Sequence, residues 1–577
     1  MRSRELLVAS GALVAVLWFS IPATPWEFDE LLFVQSLGHY DPISHHPPPP
    51  GYPLFIAAGD FFRLFAPNNF TALVAMNFLA SAIGFVLLAL AFRRISGDLR
   101  TGVAGALLFY FSPVMLVHST LAMSDPGAVA LLAATLYFAD QALLFGTFAA
   151  LTIGWRPQFA IFVLPLLFLQ LAMTREWPRR AIALAAFTVV CVLWLIPLTR
   201  AVGGLDRLIH FESSQAGYLA AHDAAVSRSG WSTPQLALRF SAHPWGTKIA
   251  SLPLLIVAGV GVVAAIRKRE LRVIPLAIAA LLYLGFALRF LDPADGVRYA
   301  IPFVLGTAFF AGTGLIELTR RFNLPTYAFV ALFAAGSIVF VSSLVSQRRA
   351  TESPPLRAAR LGRWLYPQNA VVLYELPLWP HAQVFFADRQ RLRVNDGLAK
   401  YFDRPDVPLF IYADGISHAP GSRTVRWLPS DAYSKLTRNH YRVVSLIPVP
   451  PESRFLILRG VYLTEREVEG EEWRWLDSPA ELQLPHGPAR MVAMRLGLPT
   501  IYPMAVNPLT IFVDGVKERT LELQRGKPID VVLSVPAGSP VLRFEAGRAF
   551  VPAEVPGSLN RDPRHLAVKL YDLRSTL

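Results

Sequence analysis

The apolar residues of this chain come in long blocks, and the polar and charged residues gather between them. A helix needs about 20 predominantly apolar residues to cross the hydrocarbon core of a bilayer, and most of these blocks approach that length. The candidate spans cover residues 6–23, 70–92, 101–118, 126–141, 142–154, 158–173, 181–199, 249–266, 273–290, 299–317 and 325–346. The pattern therefore predicts a polytopic α-helical membrane protein with about eleven transmembrane helices in a domain of residues 1–346.

Arginines occupy alternate loops between these candidate spans. Cytoplasmic loops of membrane proteins are enriched in Lys and Arg, so the alternation places the N-terminus in the cytoplasm. The arginines that then fall inside are Arg2, Arg4, Arg93, Arg94, Arg100, Arg175, Arg179, Arg180, those of Arg267–Arg272, Arg320 and Arg321. The loop after the first span and the region after the last one lie outside. Because many more spans follow, we expect the first span to remain as an uncleaved helix.

The hydropathy falls to values typical of soluble domains after residue 347. Residues 347–459 alternate short apolar strands with helical stretches, which predicts a soluble α/β layer outside the membrane. Residues 460–577 show strand and turn signals only, and Asp514-Gly515 between two apolar runs is typical of a hairpin. We expect an all-β sandwich domain there.

Composition narrows the class of protein further. With 54% hydrophobic and 16% charged residues, the chain is too apolar for an ordinary soluble enzyme. The formal net charge of +13 is explained by the loop arginines and a mildly basic soluble part. Since no nucleic-acid motif accompanies it, we expect no nucleic-acid partner. The single cysteine, Cys191, excludes an intramolecular disulfide and a zinc site built from cysteines.

The stretch from Trp26 to Phe55 is the part of the chain best suited to chemistry. Asp29 and Glu30 directly follow the first apolar span, where a charge is costly unless it is used or paired. The run Pro47–Pro50 must be extended, because proline fixes φ and disfavours helix in the residue before it. We expect a stiff loop at the outer membrane surface with the two carboxylates at its start.

Three further polar residues lie on the same predicted face. Asp125 stands in the turn HSTLAMSDPG, Arg156 in GWRPQ and Arg298 in LRFLDPADGVRYAIP. Arginine presents paired donors to phosphate oxygens, so Arg156 and Arg298 would form a clamp for a phosphate group. A carboxylate within reach of a hydroxyl group takes its proton in general-base catalysis, and Asp29 is the candidate for that task.

Each of these residues also has a structural interpretation. Asp29 could cap a helix, with Glu30 complementing the helix dipole. Asp125 could cap a helix that begins at Pro126. The two arginines could instead extend to lipid headgroups from helix ends.

The ordered set of motifs on one membrane face resembles the GT-C membrane glycosyltransferases over residues 1–346. The set comprises Phe28-Asp29-Glu30, a His-Pro-Pro stretch in the same loop, an acid in the next outer turn, an arginine that opens a later span, and Arg298-Tyr299 with Pro302. It is most similar to the protein mannosyltransferase and lipid A aminoarabinose transferase group. Members of that group transfer a sugar from a polyprenyl phosphate on the outer face of the membrane, so the resemblance implies this activity.

The resemblance also implies individual roles. Asp29 would be the base, and Glu30 would orient the acceptor. His46 stands where the group has a His or Lys before a Pro-Pro pair and would face the phosphate, although two extra prolines follow it and a structural role stays open. The predicted substrate-binding residues are His46, Tyr52, Asp125, Arg156, Arg298 and Tyr299.

Asp125 matches a second outer acid that helps to bind a divalent metal in some branches of the superfamily. Together with Asp41, His45 and His46 it shows no specific ligand spacing. The transferases nearest in pattern generally work without a metal. We therefore expect no metal and no other cofactor.

The end of the chain resembles a carbohydrate-binding-like β-sandwich found on bacterial envelope transferases. The resemblance rests on the strand Phe550–Glu554 and on the turn Asp562-Pro563-Arg564. Trp473 or Trp475 would stack on a sugar in such a domain, or else pack in its core.

The favoured hypothesis is a glycosyltransferase of the bacterial inner membrane. It would move a monosaccharide from a polyprenyl-phosphate donor to a glycan, lipid or protein acceptor, in contact with membrane lipid. The first alternative is a glycolipid transporter or flippase, but transporters tend to have ionisable residues near the bilayer midplane and repeated halves, and the sequence shows neither. The second is a non-catalytic envelope assembly protein. Loss of the acid pair would have favoured it, but Asp29 and Glu30 are present.

Overall fold

The computed structural model describes residues 2–220, 224–225, 232–293, 296–427, 436–437, 442–466, 471–555 and 562–576. The chain divides into two units, Met1–Glu352 with Pro429–Asn439 and Ser353–Leu428 with His440–Leu577. We call them the membrane unit and the C-terminal unit. The predicted domain boundaries at residues 346 and 459 stay predictions.

The described part of the membrane unit is α-helical. Its helices are α1 (Arg2–Phe19), α2 (Phe28–Ser36), α3 (Pro53–Arg63), α4 (Asn69–Ser96), α5 (Leu99–Tyr110), α6 (Pro113–His118), α7 (Asp125–Tyr137), α8 (Ala142–Trp155), α9 (Ala160–Met173), α10 (Trp177–Val202), α11 (Leu205–Tyr218), α12 (Thr233–Ser241), α13 (Lys248–Arg267), α14 (Ile274–Phe290), α15 (Gly296–Tyr299), α16 (Ile301–Arg321) and α17 (Thr326–Ala350). Local signals set many of their limits. The side chain of Asn68 caps α4 by accepting a hydrogen bond from the backbone N–H of Thr71 at 2.9 Å, and Gly97 ends this helix at a φ of +74°.

Six apolar segments of the described residues are long enough to cross a membrane. They are Asn69–Ser96, Trp177–Val202, Lys248–Arg267, Leu271–Phe290, Ile301–Arg321 and Thr326–Leu365. Leu99–Tyr110, Ala142–Trp155 and Pro157–Met173 are shorter apolar helices. The prediction of a multi-pass membrane protein is confirmed, and the count of about eleven spans stays a prediction.

The predicted span 101–118 is not one helix. α5 ends at Tyr110, and α6 begins at Pro113 after Ser112, whose side chain accepts a hydrogen bond from the backbone N–H of Met115. Proline suits the first turn of a helix but cannot continue one, because it lacks the N–H group. The break lets the chain turn into the buried segment that leads to Asp125.

Glycines bring α13 and α16 into close contact. A Cβ atom at Gly261 would lie 1.9 Å from the carbonyl oxygen of Phe310, and one at Gly314 would lie 1.9 Å from that of Val257. Small residues let membrane helices approach in this way. The contact fixes α16, which directly follows the helix that carries Arg298.

The C-terminal unit begins with an α/β layer. Its helices are α18 (Pro354–Leu365), α19 (Trp379–Phe385) and α20 (Val394–Tyr401), and its strands are β1 (Val371–Tyr374), β2 (Arg391–Arg393), β3 (Leu409–Asp414), β4 (Arg423–Arg426) and β5 (Val443–Pro448). The strand order is β2-β1-β3-β5-β4. Strands β2, β1 and β3 are parallel, whereas β5 is antiparallel to both β3 and β4. The structure thus has the α/β layer that the sequence predicts.

The remaining strands form one eight-stranded sheet. They are β6 (Leu456–Arg466), β7 (Glu472–Gln483), β8 (Arg490–Gly497), β9 (Val506–Val513), β10 (Val516–Gln524), β11 (Ile529–Val535), β12 (Val541–Ala546) and β13 (Val568–Thr576). Trp473 and Trp475 are buried in the core of this sheet, which favours the core-packing alternative over sugar stacking. The β-rich prediction is confirmed, and the two-layer sandwich geometry stays a prediction.

Candidate active site

The N-terminus of α2 is held by Glu30. Its Oε2 atom accepts hydrogen bonds from the backbone N–H groups of Trp26 at 2.8 Å and Glu27 at 3.0 Å. Glu27 is the N-cap residue, and Asp29 lies inside the first turn. This is the reciprocal geometry of a capping box. The alternative in which Asp29 caps the helix is therefore wrong, and the carboxylate of Asp29 is available for another partner.

That partner is Arg298. The Nη2 atom of Arg298 lies 3.1 Å from Oδ2 of Asp29, and the side chains are 10% and 31% exposed, respectively. Arg298 also donates to the Tyr299 hydroxyl at 3.4 Å and approaches the sulfur of Met123 at 3.8 Å. Arg298 thus faces the protein rather than lipid headgroups. The structure brings Asp29, Arg298 and Tyr299 together.

A second ion pair joins Arg156 and Asp125. Nη1 of Arg156 lies 3.2 Å from Oδ2 of Asp125, and the two side chains are only 3% and 1% exposed. The same nitrogen donates to the hydroxyl of Ser124 at 2.6 Å. Ser124 is the N-cap residue of α7, so the alternative in which Asp125 caps that helix is wrong. The alternative in which Arg156 extends to lipid headgroups is wrong too, because the guanidinium group is buried.

Glu30 also reaches across to the chain just before Asp125. Its Oε1 atom accepts a hydrogen bond from the backbone N–H of Ala122 at 2.9 Å, and the side chain is fully buried. Both carboxylate oxygens therefore bind backbone N–H groups. In this structure the Glu30 carboxylate holds α2 against residues 119–124, and the orientation of the acceptor by Glu30, which the resemblance implies, stays a prediction.

Tyr52 lies close to both ion pairs. It stands in a left-handed conformation, with a φ of 40°, at the start of α3, and its ring packs edge-on against Phe33 with centroids 5.0 Å apart. Burial raises the pKa of Tyr52, and the charges of Arg156 and Asp29 both act on its hydroxyl group. The Tyr52 hydroxyl group is therefore protonated and neutral.

The proline loop is tied to α2 through His46. The Nε2 atom of His46 lies 3.0 Å from Oε1 of Gln35, and the backbones of His46 and Asp41 exchange two hydrogen bonds of 2.6 and 2.9 Å. Burial lowers the pKa of His46. The contact with Gln35 gives His46 a structural role, while its contact with a phosphate stays a prediction.

Two features of the site were missed by sequence reasoning. Asn77 on α4 is fully buried and donates to the backbone carbonyls of Leu121 and Met123. Arg348 near the end of α17 is buried and donates to Oε1 of Glu27 at 2.6 Å. The sequence signal for Asn77 is a lone asparagine within an apolar span. Nothing local marked Arg348, because its partner is far away in the sequence.

The described residues contain no group of three or more His, Cys, Asp or Glu side chains placed to hold a metal ion. Asp125 is paired with Arg156, and His46 contacts Gln35 of α2. That the protein works without a metal stays a prediction.

Comparison with known protein families and with curated proteins finds no match to this sequence. Among solved structures, the chain is similar to ArnT from Cupriavidus metallidurans in the apo state, with 14% identity and a TM-score of 0.52 over 77% of this chain and 98% of that one. The same protein bound to undecaprenyl phosphate gives 15% identity and a TM-score of 0.48 over 76% and 97%. The Archaeoglobus fulgidus oligosaccharyltransferase in the apo form gives 11% identity and a TM-score of 0.43 over 95% and 96%. The likeness to apo ArnT confirms the resemblance at the level of the fold.

Proposed function

We propose that this protein is a membrane glycosyltransferase that moves a monosaccharide from a polyprenyl-phosphate donor to an acceptor hydroxyl group at the outer face of the membrane. The observation that carries the proposal is the ion pair of Asp29 and Arg298, which joins a partly exposed carboxylate to an arginine. These are the two groups that sugar transfer from a phosphate requires. The fold shared with ArnT and the ordered motifs support it.

The chemistry assigns one task to each partner of this pair. The acceptor oxygen forms a bond to the anomeric carbon while the bond from that carbon to the phosphate oxygen breaks, and the acceptor proton passes to Asp29. The lipid phosphate leaves with the bonding electrons, and Arg298 stabilises its charge. Since Asp29 holds Arg298 in this structure, a bound phosphate would compete for the guanidinium group and leave Asp29 for the acceptor.

The other residues predicted for the site have supporting roles in this reaction. Arg156 was predicted as a second phosphate ligand, but a guanidinium group that is 3% exposed and paired with Asp125 acts better by positioning α7 and by its positive field. Tyr52 and Tyr299 supply hydroxyl donors next to the pair. Glu30 positions Asp29 by fixing the first turn of α2.

We further infer eleven spans, with the active face and the C-terminal unit outside a bacterial inner membrane. The alternate loop arginines support this topology. Reporter fusions at residues 97, 177 and 269 are expected to read cytoplasmic, and a fusion at residue 355 is expected to read extracytoplasmic. A cytoplasmic reading at residue 355 would place Asp29 on the wrong face and contradict the proposed orientation.

The direct test is incubation of the purified protein, in lipid, with a panel of polyprenyl-phosphate sugars, followed by mass spectrometry of the donors. The expected result is that one donor is converted to polyprenyl phosphate. A glycolipid transporter would move the donor across a liposome membrane and leave it intact. A non-catalytic assembly protein would do neither, so the three hypotheses give three different results.

A further inference from the structure

The chain between α6 and α7, residues 119–124, is an irregular segment buried inside the membrane unit. We call it the α6–α7 segment. Buried backbone N–H and C=O groups need hydrogen-bond partners, and an irregular segment does not supply all of them itself. This segment carries Met123, which contacts Arg298, and it leads directly into Asp125, which pairs with Arg156. Its conformation therefore sets the surroundings of both arginines.

Polar groups from different parts of the unit hold this backbone. Ser81 Oγ donates to the carbonyl of Ser119 at 2.9 Å, and the indole N–H of Trp155 donates to that of Ser124 at 3.0 Å. Between them, Glu30 accepts from the N–H of Ala122 at 2.9 Å. The segment is thus bonded at its two ends and at its middle by three separate helices.

Asn77 of α4 makes two further hydrogen bonds near the middle of the segment. Its Nδ2 atom lies 2.5 Å from the carbonyl oxygen of Leu121 and 2.8 Å from that of Met123. Both partners only accept hydrogen bonds, so the amide must point its NH₂ group at them. A fully buried asparagine in a membrane helix is costly unless it has such partners, and between membrane helices these bonds contribute to fixing relative position.

We propose that Asn77 is a positioning residue for sugar transfer, which holds the α6–α7 segment so that Met123 and Asp125 meet Arg298 and Arg156. Asn77 clamps the residues on either side of Ala122, and Glu30 clamps Ala122 itself. The same few atoms therefore link the helix that carries Asp29 to the segment that positions the arginines. The expected effect on turnover rests on the proposed function, whereas the hydrogen-bonded link through Asn77 and Glu30 does not.

The test uses the full-length protein in lipid with three variants. Asn77→Asp keeps the size but replaces two donors with a carboxylate that faces two carbonyl oxygens. Asn77→Ala removes both bonds without adding charge. Thr313→Val is the matched control, because the buried hydroxyl of Thr313 donates only within its own helix, to Phe309.

Both Asn77 variants are expected to lower kcat at saturating donor by about 10-fold to 100-fold, since displacements of about 1 Å in an active site have costs of this order. Hydrogen exchange measured by mass spectrometry on peptides that cover residues 119–124 is expected to become faster. The thermal unfolding midpoint shows whether each variant folds. If one Asn77 variant fails to fold, the other one provides the test. Thr313→Val is expected to change neither turnover nor exchange in that segment.

Turnover within twofold of the wild-type value in a folded Asn77 variant would overturn the inference, and so would unchanged exchange in the α6–α7 segment. Failure of the proposed function looks different, because the wild-type protein would then consume none of the polyprenyl-phosphate sugars. In that case the exchange measurement still decides whether Asn77 holds the segment.

Discussion

Replacement of Asp29 by asparagine is expected to lower the rate of sugar transfer about 100-fold to 10,000-fold, the usual contribution of general-base catalysis. Asparagine has the size of aspartate but cannot take a proton from the acceptor. Loss of a helix cap cannot explain the fall, because Glu27 is the N-cap residue and Glu30 completes the capping box. The rate is measured with saturating donor and acceptor in reconstituted protein.

Donor binding separates this role from a general disturbance of the site. Asp29→Asn removes the carboxylate that holds Arg298 in the absence of donor, so the Kd of the donor is expected to stay equal or to fall. Asp60→Asn is the matched control, because Asp60 also lies beside an arginine, Arg63, but on the exposed side of α3. A loss of only a few-fold in Asp29→Asn, or an equal loss in the control, would contradict the role of Asp29 as the base.

The sequence predicted most of the architecture because its signals are local. Apolar blocks mark membrane helices, and Asp514-Gly515 marks a hairpin, which the structure has between β9 and β10 with positive φ at both residues. The break between α5 and α6 was missed because hydropathy averages over Ser112-Pro113. Strand pairing in the last sheet depends on contacts between distant residues, so a sandwich and a single continuous sheet give the same alternating pattern.

The candidate site was predictable as a set of residues but not as a set of contacts. The predicted topology places Asp29, Asp125, Arg156 and Arg298 on one membrane face. It does not say which acid meets which arginine, and Asp29 is 269 residues away from its partner in the sequence. Glu30 shows the same limit, because its hydrogen bond with the backbone N–H of Ala122 joins residues 92 positions apart in the sequence.

The buried pair of Asp125 and Arg156 is expected to be the contact whose disruption costs the most stability. Both side chains are almost fully buried, at 1% and 3% exposure. Removal of one partner from a buried pair leaves an uncompensated charge and typically destabilises a protein by about 3–5 kcal/mol. We expect losses of this order for Arg156→Met and for Asp125→Asn, measured as the free energy of unfolding in mixed detergent micelles.

The double variant Arg156→Met with Asp125→Asn tests whether the two losses share one cause. If each single loss comes from the charge left behind, the double variant is expected to be more stable than the sum of the two predicts, by about 1–3 kcal/mol. Lys268→Met is the matched control, since its pair with Glu317 is about half exposed and contributes at most about 1 kcal/mol. Strictly additive losses, or a loss in Arg156→Met no larger than in the control, would show that the pair does not act as a unit. Sugar transfer by the double variant is expected to stay low even where stability returns, because the positive field of Arg156 next to Tyr52 is absent.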